Sequence, residues 1–153
     1  MSADGAANEP YGKPETVTEG AFAGWMTWGK GADPFETLAG PFCFKIEGER
    51  AHCAFQPRRD HLNGGGALHG GALMSFADFA LFSIAHNALQ GGIKAVTLTC
   101  NCDFVSAGGL DGWVEAEGEV LRATRSLLFV RGLMTQRGRT LLAFSGTLKK
   151  ITG

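Results

Sequence analysis

Asp78 is the only carboxylate between Gly70 and Gly92, and it sits in the apolar run Met74-Ser75-Phe76-Ala77-Asp78-Phe79-Ala80-Leu81. An acid in such a run either faces water at a gap in the packing or lies in a cleft, where burial tunes a carboxyl for work as acid, base or nucleophile. Eight residues earlier, His69-Gly70-Gly71 opens the same apolar segment. A helix start there offers unpaired main-chain N–H groups and the positive end of the helix dipole to a developing oxyanion. The same glycines also serve a plain loop-to-helix turn. A phosphate cradle would need Gly-x-x-x-x-Gly-Lys-Ser/Thr or Gly-x-Gly-x-x-Gly, and neither is present.

If one helix carries both groups, a rise of about 1.5 Å per residue separates Gly70 from Asp78 by roughly 12 Å. One reacting carbonyl cannot touch both. The Gly70 donor of one protomer must then face the Asp78 of another, giving two equivalent sites about a dimer two-fold.

The elements that must hold these groups follow from length and pattern. At 153 residues the chain makes one compact domain. With 14 basic and 15 acidic residues the net charge is -1, which excludes the cationic surplus of a non-specific nucleic-acid or anionic-membrane binder. A hydrophobic content of 44% supports a core. The longest apolar stretch, residues 72–85, falls short of the roughly 20 residues that span a bilayer. The opening residues lack the charged and apolar regions of a signal peptide, so the expected location is cytoplasmic. Among the four cysteines, Cys43 and Cys53 can meet across a hairpin, whereas Cys100 and Cys102 share one strand face. In a reducing compartment all four are expected as free thiols.

Residues 1–18 are polar and predicted to be mobile or laid late onto the surface. Residues 19–30 are predicted as a short helix carrying Phe22, Trp25, Met26 and Trp28, and residues 35–38 as a further turn. Residues 42–46 and 51–55 read as a hairpin. A long buried helix follows from Gly70 to near Leu89. Four strands over 95–105, 112–121, 126–135 and 140–150 are joined by turns that favour an antiparallel meander. The expectation is an α+β chain, divided into an N-terminal extension (1–30) and a domain (31–153) in which one antiparallel sheet wraps the long helix. Its uncovered edges and face call for a second copy.

The stretch His61-Leu62-Asn63-x-x-Gly66-x-x-His69-Gly70-Gly71-x6-Asp78 resembles the signature of hotdog-fold acyl-CoA thioesterases of the phenylacetate-pathway (PaaI) type, relatives of 4-hydroxybenzoyl-CoA thioesterase. The likeness extends through Phe35-Glu36-Thr37-Leu38-Ala39-Gly40-Pro41, Ala95-Val96-Thr97-Leu98-Thr99 and Arg122-Ala123-Thr124-Arg125, covering about residues 33–150. It implies a hotdog fold, active sites between subunits, and homodimers often paired into homotetramers. By position, Asp78 resembles the catalytic carboxylate, Gly70 the oxyanion donor, and Asn63 the side chain that places the carbonyl or water. His69 and Gly71 look like supporting residues, and Thr97 like a hydroxyl that holds the water. Arg122 and Arg125 are candidates for the phosphates of coenzyme A.

Such a resemblance implies hydrolysis of a thioester, with Asp78 as nucleophile or as general base and no cofactor beyond the coenzyme A of the substrate. No metal is called for: His61 and His69 lack a third ligand. His52 and His86 read as a strand residue and a helix-end residue. Phe82, one turn beyond Asp78, is the first candidate for the acyl pocket, with Phe76, Phe79 and Met74 behind it. A hydroxyacyl dehydratase would need an acid about 14 residues after a histidine in a Pro-rich loop; here His61 precedes Asp78 by 17 and the prolines are missing. A non-catalytic acyl-CoA-binding protein would bind without turnover.

Overall fold

In the computed structural model, which describes residues 13–151, eight strands form one antiparallel sheet. In chain order they are β1 (Glu15–Thr16), β2 (Met26–Thr27), β3 (Cys43–Glu47), β4 (Arg50–Phe55), β5 (Lys94–Phe104), β6 (Val114–Ala123), β7 (Leu127–Gln136) and β8 (Arg139–Ile151). Their order across the sheet is β1-β2-β3-β4-β6-β7-β8-β5. Two helices complete the fold, α1 (Pro34–Ala39) and α2 (Gly70–Ile84).

The sheet curls around α2 because the helix is apolar on nearly every side. Leu73, Phe76, Ala77, Phe79, Ala80, Leu81, Ser83 and Ile84 are all buried, which leaves one stripe uncovered through Gly71, Met74, Ser75, Asp78 and Phe82. Glycine on the facing strands lets the helix approach closely: a Cβ at Gly146 would overlap Leu81, and one at Gly118 would reach within 2.8 Å of Ile84. Phe76 is fully buried and packs on Phe42, Phe55 and Phe79 at ring separations of 5.3, 4.8 and 6.0 Å. Phe76→Ala is expected to cost about 3 to 5 kcal/mol, since the ring is lost and the cavity cannot collapse against three other rings. Urea unfolding of the variant would measure it, and a loss under about 1 kcal/mol would contradict this packing.

Three expectations need correction. Residues 19–30 do not form a helix. Gly20 and Gly24 adopt φ of +83° and +89°, the chain turns, and Val17 N–H donates to the Trp25 carbonyl at 2.7 Å. The aromatic residues then favour a pleated surface over a helix: Trp25 packs with Phe22 and Trp113 over Cys43 and Ala54, on the face of the sheet away from α2. Residues 15–27 therefore extend the sheet through β1 and β2. Residues 1–12, part of the segment predicted to be mobile, lie outside the described residues.

The last four strands are also not one meander. β6, β7 and β8 follow one another, but β5 pairs with β8 along nearly its whole length and becomes an edge. The loop Ala107-Gly108-Gly109 thus lies in a crossover, a choice that local turn chemistry does not encode. The long helix, finally, stops at Ile84, where the His86 Nδ1–H donates to the Ser83 carbonyl at 3.0 Å. Residues His86–Leu89 form a 3-10 turn instead.

The hairpin of β3 and β4 puts Cys43 opposite Ala54 and Cys53 opposite Phe44, so the two thiols point to opposite faces of the sheet. They cannot bridge. Among the described residues no helix is long and apolar enough to cross a membrane.

Candidate active site

The uncovered stripe of α2 runs alongside β5, and Asp78 lies at its centre. Thr97 Oγ1–H donates to Asp78 Oδ1 at 2.6 Å. A register shift between Thr97 and Thr99 marks a bulge at Leu98, the kind of irregularity that re-aims a side chain beside a functional site. Burial raises the Asp78 pKa, the Thr97 hydrogen bond opposes that rise, and the charge of Asp33 adds to it. The thiols of Cys100 and Cys102 line the same strand face. Burial pushes Cys100 up to about 12, so it is not a competing nucleophile at neutral pH.

The start of α2 can be accounted for bond by bond. His69, in extended conformation at the N-cap, accepts the Gly71 N–H on Nδ1 at 2.8 Å. Its carbonyl takes the N–H groups of Ala72 and Leu73 at 3.0 and 3.2 Å. The Gly70 N–H has no acceptor among the described residues. His69 and Gly71 thus complete the cap, and Gly70 carries the one free donor.

Asn63 is exposed at the head of the loop before the helix. Its Oδ1 accepts from Gly65 N–H at 2.9 Å and Ala67 N–H at 3.1 Å, which points its amide nitrogen outward as a spare donor. Upstream, His61 is a clamp. Its Nδ1 accepts the Arg58 N–H at 3.0 Å and its Nε2–H donates to the Ala39 carbonyl at 2.7 Å. Burial lowers its pKa, and with both nitrogens engaged the ring offers neither a metal lone pair nor a base for hydration chemistry.

Asp78 and Thr97 are therefore in contact, whereas Gly70 and Asn63 lie toward the start of α2, eight residues away in the case of Gly70. Phe82 is half-buried on the same stripe. Phe76 and Phe79 belong to the core, leaving Met74 and Phe82 as the helix's open apolar groups. Arg122 and Arg125 are exposed at the end of β6 and in the turn after it. The row Thr97, Leu148, Leu128, Ala123 runs across four strands to their position, roughly 14 Å at the usual strand spacing, so neither touches Asp78.

Sequence reasoning passed over Glu36. Helix α1 begins Asp33-Pro34, with Asp33 Oδ1 accepting the Glu36 N–H at 2.9 Å. A Glu at this third position normally completes a capping box by accepting the N-cap N–H. Here the Asp33 N–H is already given to the Trp28 carbonyl at 2.9 Å. Glu36 Oε2 is instead buried without a partner among the described residues. Burial, then the charges of Asp33 and Asp78, push this carboxyl up to about 8. The signal was the Asp-Pro-x-Glu pattern, which reads as an ordinary helix start until the cap is seen to be occupied.

Because Glu36 binds its proton more tightly folded than unfolded, its contribution to stability is greatest at acid pH and falls as pH rises from 4.5 to about 8. Asp78 adds in the same direction. The melting temperature is expected to drop by a few degrees between pH 5 and pH 8, and Glu36→Gln to flatten that slope. An unchanged slope in the variant would show that Glu36 ionises normally.

On the opposite face of the sheet a trough of about 840 Å³ is lined by polar and charged groups that pair with one another, His52 with Glu115 at 3.0 Å and Arg131 with Glu119 at 2.7 Å. It lies away from Asp78.

One antiparallel sheet wrapped around a single long helix, with a carboxylate on that helix and a free N–H at its start, defines a hotdog protein equipped for acyl chemistry. A model of the thioesterase superfamily matches residues 65–143, a segment that includes Gly70, Asp78 and Thr97, and the chain belongs to that superfamily. Within it the chain is PaaI-like. It is similar to the TT0310 protein of Thermus thermophilus, at 30% identity over 78% of this chain and 98% of that one, with a TM-score of 0.67. A mutant form of the phenylacetic acid degradation protein PaaI from the same organism is also 30% identical, over 78% and 100% of the two chains, with a TM-score of 0.66. The BH2602 protein of Bacillus halodurans, solved with CoA, shares the fold at 19% identity over 72% and 74%, TM-score 0.66. A search of curated proteins finds no match.

Proposed function

We propose that the protein hydrolyses the thioester of an aryl- or medium-chain acyl-CoA to the free acid and coenzyme A in the cytoplasm, with no metal or other cofactor. The observation that carries this reading is Asp78, a half-buried carboxylate held by Thr97 on the one open stripe of the central helix, in a chain of the thioesterase superfamily. In this reading Asp78 attacks the carbonyl or activates water, and Asn63 helps to place the reacting group.

The oxyanion is held by the Gly70 N–H of a second protomer, because the helix that separates Gly70 from Asp78 is rigid. Self-association is supported by the edge position of β5, whose one strand neighbour among the described residues is β8, and by the exposed Leu98 and Phe104 on it and Val105 just after it. Binding of coenzyme A in the BH2602 protein supports the substrate class. Met74 and Phe82 form the acyl wall, and Arg122 and Arg125, at the end of β6 and in the turn after it, meet the nucleotide phosphates.

Thiol release from phenylacetyl-, hydroxybenzoyl-, hexanoyl- and palmitoyl-CoA tests the reading. Turnover of the first three above the fourth is expected. Folded protein that releases no thiol from any of them would overturn it.

A further inference from the structure

Helix α1 has its polarity reversed. Phe35 and Leu38 face solvent at 59% and 76% exposure, while Glu36 turns inward and buries an unpartnered oxygen. A buried carboxyl oxygen with no hydrogen bond costs stability, and a catalytic role is one reason for a native fold to keep one. The helix is also held firmly for its length. At its start Asp33 is tied to Trp28, whose ring packs at 5.7 Å on Phe79, the residue that follows Asp78. At its end Arg58 donates to the carbonyls of Leu38, at 2.7 Å, and Gly40, and His61 donates to Ala39.

The charged and titratable groups around Glu36 are Asp33 at its own cap, Asp78 across on α2, and Arg58 and His61 at the end of α1. Arg58 spends its donors on main-chain carbonyls and on Asp60, and forms no ion pair with Glu36. Three carboxyls, Asp33, Glu36 and Asp78, thus feel one another's charge with no ion-paired cation at Glu36 among the described residues, an arrangement in which one keeps its proton while a neighbour is ionised.

Resting on the hydrolase reading above, we propose that Glu36 is the acid of the reaction, the group that protonates the departing coenzyme A sulfur opposite the Asp78 base. Asp78 takes a proton from water as the water oxygen bonds the carbonyl carbon, and the C=O π pair moves onto the oxygen. When that pair returns, the C–S bond breaks, and the sulfur leaves with the bonding electrons and takes the Glu36 proton. The products are the carboxylic acid and the free thiol. Asp78 then holds one proton more and Glu36 one fewer, and transfer between them restores the starting state. If Asp78 instead attacks directly, Glu36 protonates the same sulfur in the first half-reaction. At about 8, the Glu36 carboxyl is protonated at neutral pH and close to an ordinary alkyl thiol, near 8.5, so the transfer is nearly balanced.

The test compares Glu36→Gln with wild type on two thioesters of one acid, the coenzyme A ester and an ester of an acidic aryl thiol whose thiolate leaves without protonation. The variant is expected to lose about 100-fold in kcat on the coenzyme A ester and to stay within about threefold on the aryl ester. In wild type, kcat/KM for the coenzyme A ester should fall as pH rises through about 8, with no such limb for the aryl ester. Equal losses on both esters, or full retention on the coenzyme A ester, would overturn the role. If Glu36→Gln does not fold, the wild-type profiles decide alone, and the same alkaline limb on both esters rejects it. Asp78→Asn, by contrast, should slow both esters. A wild type that cleaves neither would remove the hydrolase reading, and this role with it.

Discussion

Replacing Asp78 by Asn is expected to lower kcat for acyl-CoA hydrolysis by about 100- to 10,000-fold while leaving KM nearly unchanged. Asn keeps the shape of Asp and an oxygen able to accept the Thr97 hydroxyl, which lies 2.6 Å from Asp78 Oδ1. What disappears is the lone pair that takes a proton or attacks carbon. The fold should not suffer: burial already penalises the charged form of Asp78, so the neutral amide is expected to melt at the same temperature or higher, most visibly at alkaline pH. Thiol release followed beside thermal melting separates the two effects. Retention of more than about a tenth of wild-type turnover by folded Asp78→Asn would remove Asp78 from the chemistry.

Gly70→Pro removes one hydrogen-bond donor and little else. Gly70 is the first helical residue, where proline is well tolerated because its N–H has no partner within the helix. His69 before it has φ -66° and ψ 134°, the extended conformation that a residue preceding proline prefers. A Cβ at position 70 would meet only the Phe104 ring, at an ordinary 3.4 Å. Loss of an oxyanion donor typically costs about 100- to 1,000-fold in kcat, and that is the expected result. Gly70→Ala, which keeps the N–H, should remain active and serves as the control. Because the donor and Asp78 are assigned to different protomers, refolding Gly70→Pro together with Asp78→Asn should regenerate one intact site in each mixed dimer. Failure of the mixture to recover activity above either variant would place both groups in one chain.

Much of this protein is written locally. The run from Gly70 to Ile84 can only be a buried helix, and its one carboxylate marks the candidate site before any fold is known. The alternating residues of β3 and β4 and the short turns among β6, β7 and β8 announce their own pairings, since hairpins are encoded by adjacent residues. The helix start at Gly70 was legible for the same reason, since caps are settled within a few residues, whereas Asn63 and His69 were singled out by the family resemblance. Where sequence reasoning failed, the deciding interaction was distant. Nothing near Trp25 states that Trp113, far along the chain, will draw it into the sheet rather than into a helix. β5 pairs with β8 rather than β6 because that closes the sheet over α2, a gain of burial that no turn records. Thr97 was singled out by the resemblance, but its contact with Asp78 comes only from that pairing and its bulge. Glu36 shows the division most plainly. By sequence it is a capping residue, and it becomes a buried, proton-holding carboxyl only because the Trp28 carbonyl takes the N–H it would have capped and the fold brings Asp78 near. Residue type and spacing determined which groups this chain has for chemistry; which of them meet, and in what charge state, was decided by packing, because burial and electrostatic fields depend on neighbours in space.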